Sequence, residues 1–389
     1  MFASRTNWNR RPNALSLALD DARASGRRVL DLAASNPTRC GLPLDEPAIL
    51  AALSDPRALT YDPDPRGLPH AREAVAAYYA SRGDAVSPAD LLLTASTSEA
   101  YSFVFRALCD PGDEILVPAP SYPLFDFLAS LHDVRVYRYP LFYDHGWQID
   151  FHALAQAITP RTRAILVVHP NNPTGQFARL REIENLNRAA LHHGLAIVAD
   201  EVFFDFQHAP ANDSAPPPSF ASNSAALTFT LSGISKISGL PQMKVAWILA
   251  QGPAPQKKEA LDRLEITADT FLSVGAPVQC ALPRFLELRH SFHAAISHRL
   301  RKNLAALDRV LAAYPACSRL EFEAGWYAVL RVPVTRPDED LAVALLRAHG
   351  VYVHPGHYYD FSGEGNFVVS LIPPEEEFSA GIRALLAMV

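Results

Sequence analysis

Lysine is scarce in this chain, and the scarcity singles out two residues. Of 389 residues, 35 are lysine or arginine, and only five of these are lysine; none occurs before Lys236. Lys236 closes the run Leu231-Ser232-Gly233-Ile234-Ser235-Lys236, and Lys244 closes Gly239-Leu240-Pro241-Gln242-Met243-Lys244. Solvated lysines usually have charged neighbours, whereas these have apolar and small ones, so each calls for a chemical role. Three further groups could act beside an amine. Asp200-Glu201 brings a carboxylate, and His169-Pro170-Asn171-Asn172-Pro173-Thr174-Gly175 brings an amide on a tight turn. Thr94-Ala95-Ser96-Thr97-Ser98-Glu99 brings small hydroxyl residues to a helix start, where backbone N–H groups grip phosphate. Each has a plain structural use too: aspartate and serine cap helices, and Asn, Pro and Gly make turns.

The elements around these groups bring them together. From about 90 to 250, apolar β-rich runs alternate with helical stretches. The runs are Leu91–Thr94, Glu114–Pro118, Val134–Tyr139, Ala164–His169, Ala196–Asp200, Leu227–Leu231 and Val245–Leu249. Helical spacing covers Ser98–Cys109, Tyr122–Leu131 and Leu180–His193. Continuous apolar strands between amphipathic helices predict a doubly wound, mostly parallel α/β sheet. Ligands of such sheets lie beyond the carboxyl ends of the strands, and all four groups follow a strand. After 250 the texture changes to a smaller α+β pattern. Helices are expected over Lys257–Glu287, Phe292–Ala313, Asp338–His349 and Glu376–Ala387, with strands over Leu320–Val332, Val351–His354 and Phe367–Ile372. The expected organisation is an N-terminal segment, 1–45, packed with the small domain, a large domain over 46–280 and a small C-terminal domain over 281–389. Pro210–Ser219 reads as a surface loop.

Composition narrows the function. Hydrophobic residues make up 49%, charged ones 20%, and the net charge is −6, which leaves no overall basic field for nucleic acid or an anionic membrane. No window approaches a membrane span, and no signal-peptide pattern opens the chain. Cys40, Cys109, Cys280 and Cys317 lie far apart, so neither disulfides nor a zinc site is expected; the expected location is the cytoplasm. His354-Pro355-Gly356-His357 has no companion ligands, so no metal site is expected. The patterns GxGxxG, GxxxxGK[ST] and GxSxG are absent.

An amine, a carboxylate, an amide and a phosphate-gripping helix start together suit pyridoxal 5′-phosphate. The chain resembles the fold-type I pyridoxal-phosphate aminotransferases of class I/II, in order and over nearly its whole length. The likeness rests on Tyr61-Asp62-Pro63 with Gly67 and Arg72, Pro120-Ser121-Tyr122-Pro123, Asn171–Gly175, Asp200-Glu201-Val202, Ser235-Lys236 and Gly325-Trp326-Tyr327. The resemblance implies exchange of an amino group between an amino acid and a 2-oxo acid. It makes Lys236 the Schiff-base residue that also shuttles the proton, and Asp200 the partner of the pyridine nitrogen. Tyr122 would stack on the ring and Asn172 would bind its phenolic oxygen. Thr97, Ser98, Ser235 and Tyr61 from a second subunit would hold the phosphate, which implies a homodimer with shared sites. The same carbanion precedes β-elimination, decarboxylation and cyclisation, the alternatives within this fold. A non-catalytic relative is disfavoured by the retention of Lys236, Asp200 and Asn172.

Four positions depart from the family pattern. Lys244 stands where an arginine usually forks onto the phosphate. Phe203 replaces a tyrosine, and Gly233 replaces a serine. Val368, in Phe367-Val368-Val369-Ser370, occupies the place of the arginine that binds the substrate carboxylate. Arg39, in the loop Ser35-Asn36-Pro37-Thr38-Arg39, is the first expected replacement and His357 the second. Asn36 and Trp326 complete the expected substrate contacts.

Overall fold

The computed structural model describes residues 1–208 and 217–389, so most of the Pro210–Ser219 tract lies outside the described residues. In chain order the strands are β1 (Leu30–Asp31), β2 (Leu91–Thr94), β3 (Glu114–Ala119), β4 (Arg135–Tyr143), β5 (Trp147–Ile149), β6 (Thr162–Val168) and β7 (Ala196–Asp200). They continue with β8 (Thr228–Gly233), β9 (Ala246–Gln251), β10 (Ser318–Arg319), β11 (Tyr327–Arg331), β12 (Val351–Tyr352), β13 (His354–Pro355) and β14 (Asn366–Ser370). An eight-stranded sheet has the order β2-β9-β8-β7-β6-β3-β4-β5. Its centre, β4-β3-β6-β7-β8, is parallel. Of those, β3, β6, β7 and β8 are runs such as Ala-Ile-Leu-Val-Val, buried on both faces, as a sheet covered by helices on two sides requires, whereas β4 nearer the edge is largely exposed. Strand β9 runs antiparallel between β8 and β2. The chain between β8 and β9 holds only the short helix Ile234–Ile237 and a 3-10 turn, too little for a packed parallel crossover.

Several helices start where a side chain satisfies a free backbone donor. Ser96 Oγ accepts from the Glu99 N–H at 3.1 Å, and Glu99 Oε2 accepts from the Ala95 N–H at 2.6 Å, fixing the start of helix Thr97–Leu108. Helix Leu180–His193 ends at Gly194 in the left-handed conformation.

A second sheet has the order β10-β11-β14-β13, and β1 pairs in parallel with β12. Leu15, Leu19 and Leu32 share a core with Phe292, Leu345, Phe367 and Phe378. Two expected helices are redistributed. One helix spans Ala254–Phe271, ending at Leu272 with φ 44°, and the next runs unbroken over Ala276–Leu311. Gly275 and Pro277 start that second helix, and nothing near Arg289 interrupts it. The expected boundary at 280 therefore falls inside a continuous helix. Its Cys280, Leu282, Phe285 and Leu286 pack with the large sheet, and its Phe292, Ile296, Leu300 and Leu307 with the second core. Of the expected strand over Leu320–Val332 only Tyr327–Arg331 (β11) is strand, and β5 and β10 have no counterpart in the sequence pattern.

Candidate active site

The carboxyl ends of β2, β3, β6, β7 and β8 lie along one rim of the large sheet. A cavity of about 250 Å³ opens there. Thr97, Tyr122, Asn172, Asp200, Phe203, Ser235 and Lys236 all line it, which brings together the amine, carboxylate, amide and hydroxyl groups singled out in the sequence, though not Lys244.

Lys236 lies on the single turn Ile234–Ile237 directly after β8. Its Nζ reaches the Ser35 carbonyl at 3.4 Å and lies 5.0 Å from the centre of the Trp326 ring and 5.5 Å from that of Phe203. Burial pushes its amine down to about 8, against the opposing pull of Asp200. Gly233, just before this turn, leaves no room for a side chain: a Cβ would stand 2.8 Å from Ala246 Cβ and 2.9 Å from the Val245 carbonyl. That close approach of β9 accounts for glycine where the family pattern has serine.

Asp200 ends β7 and is withdrawn from solvent. Burial raises its carboxyl to about 6. Against burial act the Val202 N–H, which donates to Oδ1 at 3.1 Å, the Tyr101 hydroxyl, which donates to Oδ2 at 2.9 Å, and the charge of Lys236. Tyr101 had not been singled out. It lies one helical turn beyond Thr97 on the same helix, and its contact with Asp200 spans 99 residues of sequence.

Asn172 is carried by a turn that its neighbour holds in place. Asn171 Nδ2 donates to the Pro120 carbonyl at 3.0 Å and to Thr174 Oγ1 at 2.9 Å. Gly175 has φ +70°, and a Cβ there would lie 2.5 Å from the Ala324 carbonyl. Asn172 itself is buried, and its Oδ1 has no partner among the described residues. A buried amide oxygen without a partner, in the wall of a cavity, marks a site built for a polar ligand. The donor set fits pyridoxal phosphate: an amine for its aldehyde, a carboxylate for its ring nitrogen, a free amide, and hydroxyls at a helix start for its phosphate.

Other expected residues stand apart from this cavity. Ser98 lies on the same helix start as Thr97 but does not line it, and Lys244 is exposed in a left-handed turn with φ 55°. Trp326 is buried behind Lys236 and Phe203, with its ring 5.2 Å from that of Phe203. Asn36 accepts from the Thr38 N–H and caps the short turn Pro37–Arg39, while Arg39 is exposed. Tyr61 lies 81% exposed at a separate cavity with Leu272, Ser273 and Val274. His357 is exposed, and the imidazole that lines the cavity is His354, opposite Val368 in the β13–β14 pairing. Strand alternation separates the two: His354 lies in the strand, and His357 in the turn after it.

Comparison with known proteins identifies the family and the fold. The family described as Aminotransferase class I and II matches residues 27–385. The glutamate-pyruvate aminotransferase AlaA of Escherichia coli is 31% identical over 259 residues, 66% of this chain and 63% of its own length. The chain thus spans a little under two thirds of that relative. The LL-diaminopimelate aminotransferase of Dehalococcoides mccartyi is 28% identical over 95% of this chain and 94% of its own. Among solved structures, the alanine aminotransferase from Pyrococcus furiosus superposes with a TM-score of 0.89 at 23% identity, covering 100% of this chain and 99% of that one, which shows the same fold. With its family pattern matched over nearly the full length, this chain belongs to the class I and II aminotransferases.

Proposed function

We propose that the protein is a pyridoxal-phosphate-dependent aminotransferase, exchanging an amino group between an amino donor and an oxo acceptor, with amino acids and 2-oxo acids as the reference substrates. The observation that carries this reading is the pairing of a half-buried Lys236, its amine pushed down to about 8, with a half-buried Asp200 in one cavity. When bound, the cofactor supplies an aldehyde for amine exchange and a cationic ring that draws electrons from the reacting carbon. Asp200 holds the proton on the ring nitrogen, and its two hydrogen-bond donors keep it available as an anion. Lys236, with its amine pushed down to about 8, is partly neutral near neutral pH, so it takes a proton from the substrate carbon and returns it. Tyr122 would pack on the cofactor ring and Asn172 would bind its phenolic oxygen, while Phe203 would leave that oxygen one donor short of the family pattern. Thr97 and Ser235 hold the phosphate with the N–H groups of helix Thr97–Leu108. In this reading Ser98, Lys244 and Tyr61 of the partner subunit complete the phosphate site. Exposed Leu59, Tyr61, Phe271 and Leu272 gather near one surface cavity and support a homodimer. Among the described residues no helix is long and apolar enough to cross a membrane. The four cysteines are unpaired, and we place the protein in the cytoplasm.

The test has two steps. Borohydride reduction of the loaded protein followed by peptide mapping should find the cofactor on Lys236; an unmodified Lys236 refutes the reading. Single-turnover spectra with amino donors should then show pyridoxamine phosphate that an oxo acid reverses. Release of ammonia or carbon dioxide instead would assign the elimination or decarboxylation chemistry.

A further inference from the structure

The wall of the cavity facing Lys236 contains no permanent cation. In an antiparallel pair, directly opposed residues share a face of the sheet. Val368 is opposed by Val329 on one side and His354 on the other, and Tyr327 is opposed by Ser370, so these five residues form one face. His354 and Tyr327 from this face line the cavity, while Val368 is buried between its neighbours and brings no polar group to it. Lys236 is the only lysine among the described lining residues, and no arginine joins it.

What replaces charge is a network of neutral groups. His354 Nε2 lies 3.1 Å from the Tyr352 hydroxyl, and Nδ1 lies 3.1 Å from that of Tyr359. Tyr358, whose hydroxyl accepts from Asn13 Nδ2 at 2.6 Å, packs its ring 5.5 Å from the imidazole. Charged groups near this network stand on its outer side: Asp31 and Arg23 act on Tyr352 and Glu339 on Tyr358, while Arg138 pairs with Asp126 and Asp360. Burial holds the imidazole down at about 4, so it stays neutral at ordinary pH. A carboxylate entering this wall would lose its water without meeting a cation, a penalty that phenols and a neutral imidazole do not offset. An alcohol, an amide or a plain alkyl group loses far less and can use the phenols as partners.

We propose that, for at least one of its two amino substrates, this pocket selects a primary amine whose reacting carbon bears an uncharged neighbour in place of a carboxylate, held against His354 and its tyrosines. The proposal rests on the aminotransferase reading and sharpens it to a substrate class.

The experiment uses the cofactor-loaded enzyme and single-turnover conversion to the pyridoxamine form, followed by absorbance. Three series are compared: phenylalanine, leucine and glutamate, each against its amino alcohol, its α-amide and its decarboxylated amine. In at least one series a carboxylate-free member should exceed the parent amino acid by about tenfold or more in kcat/KM, the scale of one charge-assisted contact. His354→Arg, at a lining position, should shift that ratio toward the amino acid by a similar factor. Val368→Arg is a second variant should the first lose its fold. Faster conversion of the parent in every series overturns the proposal, as does absence of conversion throughout by an enzyme that carries its cofactor. A carboxylate preference abolished by Arg39→Ala would assign the clamp to Arg39 and equally overturn it. Failure to trap the cofactor on Lys236 would instead refute the function itself, so the two failures are distinct.

Discussion

Tyr101→Phe removes a single oxygen and should change the chemistry of a residue it does not itself replace. The Tyr101 hydroxyl donates to Asp200 Oδ2 at 2.9 Å, inside a region where the carboxylate has few other partners. A hydrogen bond to a charged group contributes about 1.5–3 kcal/mol. At 1.36 kcal/mol per pK unit, its loss corresponds to roughly one to two units. Asp200, already raised to about 6 by burial, should then titrate at roughly 7–8 in the cofactor-free protein. Carbon-13 labelling of the aspartate carboxyls, with Asp200→Asn to assign the signal, measures this directly. In the loaded enzyme the half-reaction should slow by roughly two- to tenfold near pH 7 and recover as pH rises and the carboxyl ionises. A carboxyl that moves by less than about half a unit would refute the reasoning, since the hydrogen bond would then contribute far less than charge-assisted bonds do. A rate loss that ignores pH would refute it as well.

Three further outcomes follow from the same structure. Asp200→Asn should stabilise the cofactor-free protein above pH 6: between 3.8 and about 6 the native carboxyl keeps a proton that the unfolded chain has lost, so wild-type stability falls through that window. The gain is on the order of 3 kcal/mol and should vanish by about pH 4, as read by thermal melts at both pH values. Gly175→Ala should destabilise by about 1–3 kcal/mol and weaken cofactor binding, because the turn carrying Asn172 has φ +70° and abuts the Ala324 carbonyl; a melt and a cofactor titration check both. Arg82→Ala should cost about 3–5 kcal/mol, since it strips the buried Glu201 of its cation, 3.4 Å away. That loss should be larger at pH 8.5 than at pH 6, where Glu201, already raised to about 7 by burial, takes up a proton; denaturant unfolding at the two pH values decides.

The parallel sheet was legible because its central strands are nearly unbroken apolar runs, and Leu91–Thr94 and Ala196–Asp200 match the structure residue for residue. Lys236, Asp200 and Asn172 were legible for a related reason: each follows such a strand, so recognising the strand also places the residue at the rim. The long helices were less so. Arg289, His290 and Ser291 interrupt the apolar spacing, yet the backbone continues through them because the helix changes the core it serves. The short strands β5 and β13 offer too few residues for alternation to show. Tyr101 and His354 act through contacts across the fold, with Asp200 on β7 and opposite Val368 on β14, and linear spacing carries no trace of such pairings. Gly233 is intelligible only once β9 is seen pressing against it.

The helix Ala276–Leu311 has a consequence of its own. Its 36 residues span about 54 Å, and its buried stripe passes from one core to the other between Leu286 and Phe292. Farther along, Arg299 donates to the carbonyls of Cys40 and Ile372, and Asn303 to those of Leu371 and Pro373. The angular phase of one rod therefore sets where the end of β14 stands relative to the rim that carries Lys236. One residue inserted between Leu286 and Phe292 would turn everything downstream by about 100°, swinging Phe292 out of its core and His354 away from the amine it faces. About seven residues, two full turns, would restore the phase while adding about 10 Å of separation. In this fold the distance and bearing between the two walls of the active site are written as helical register, so a change of length there acts as a rotation.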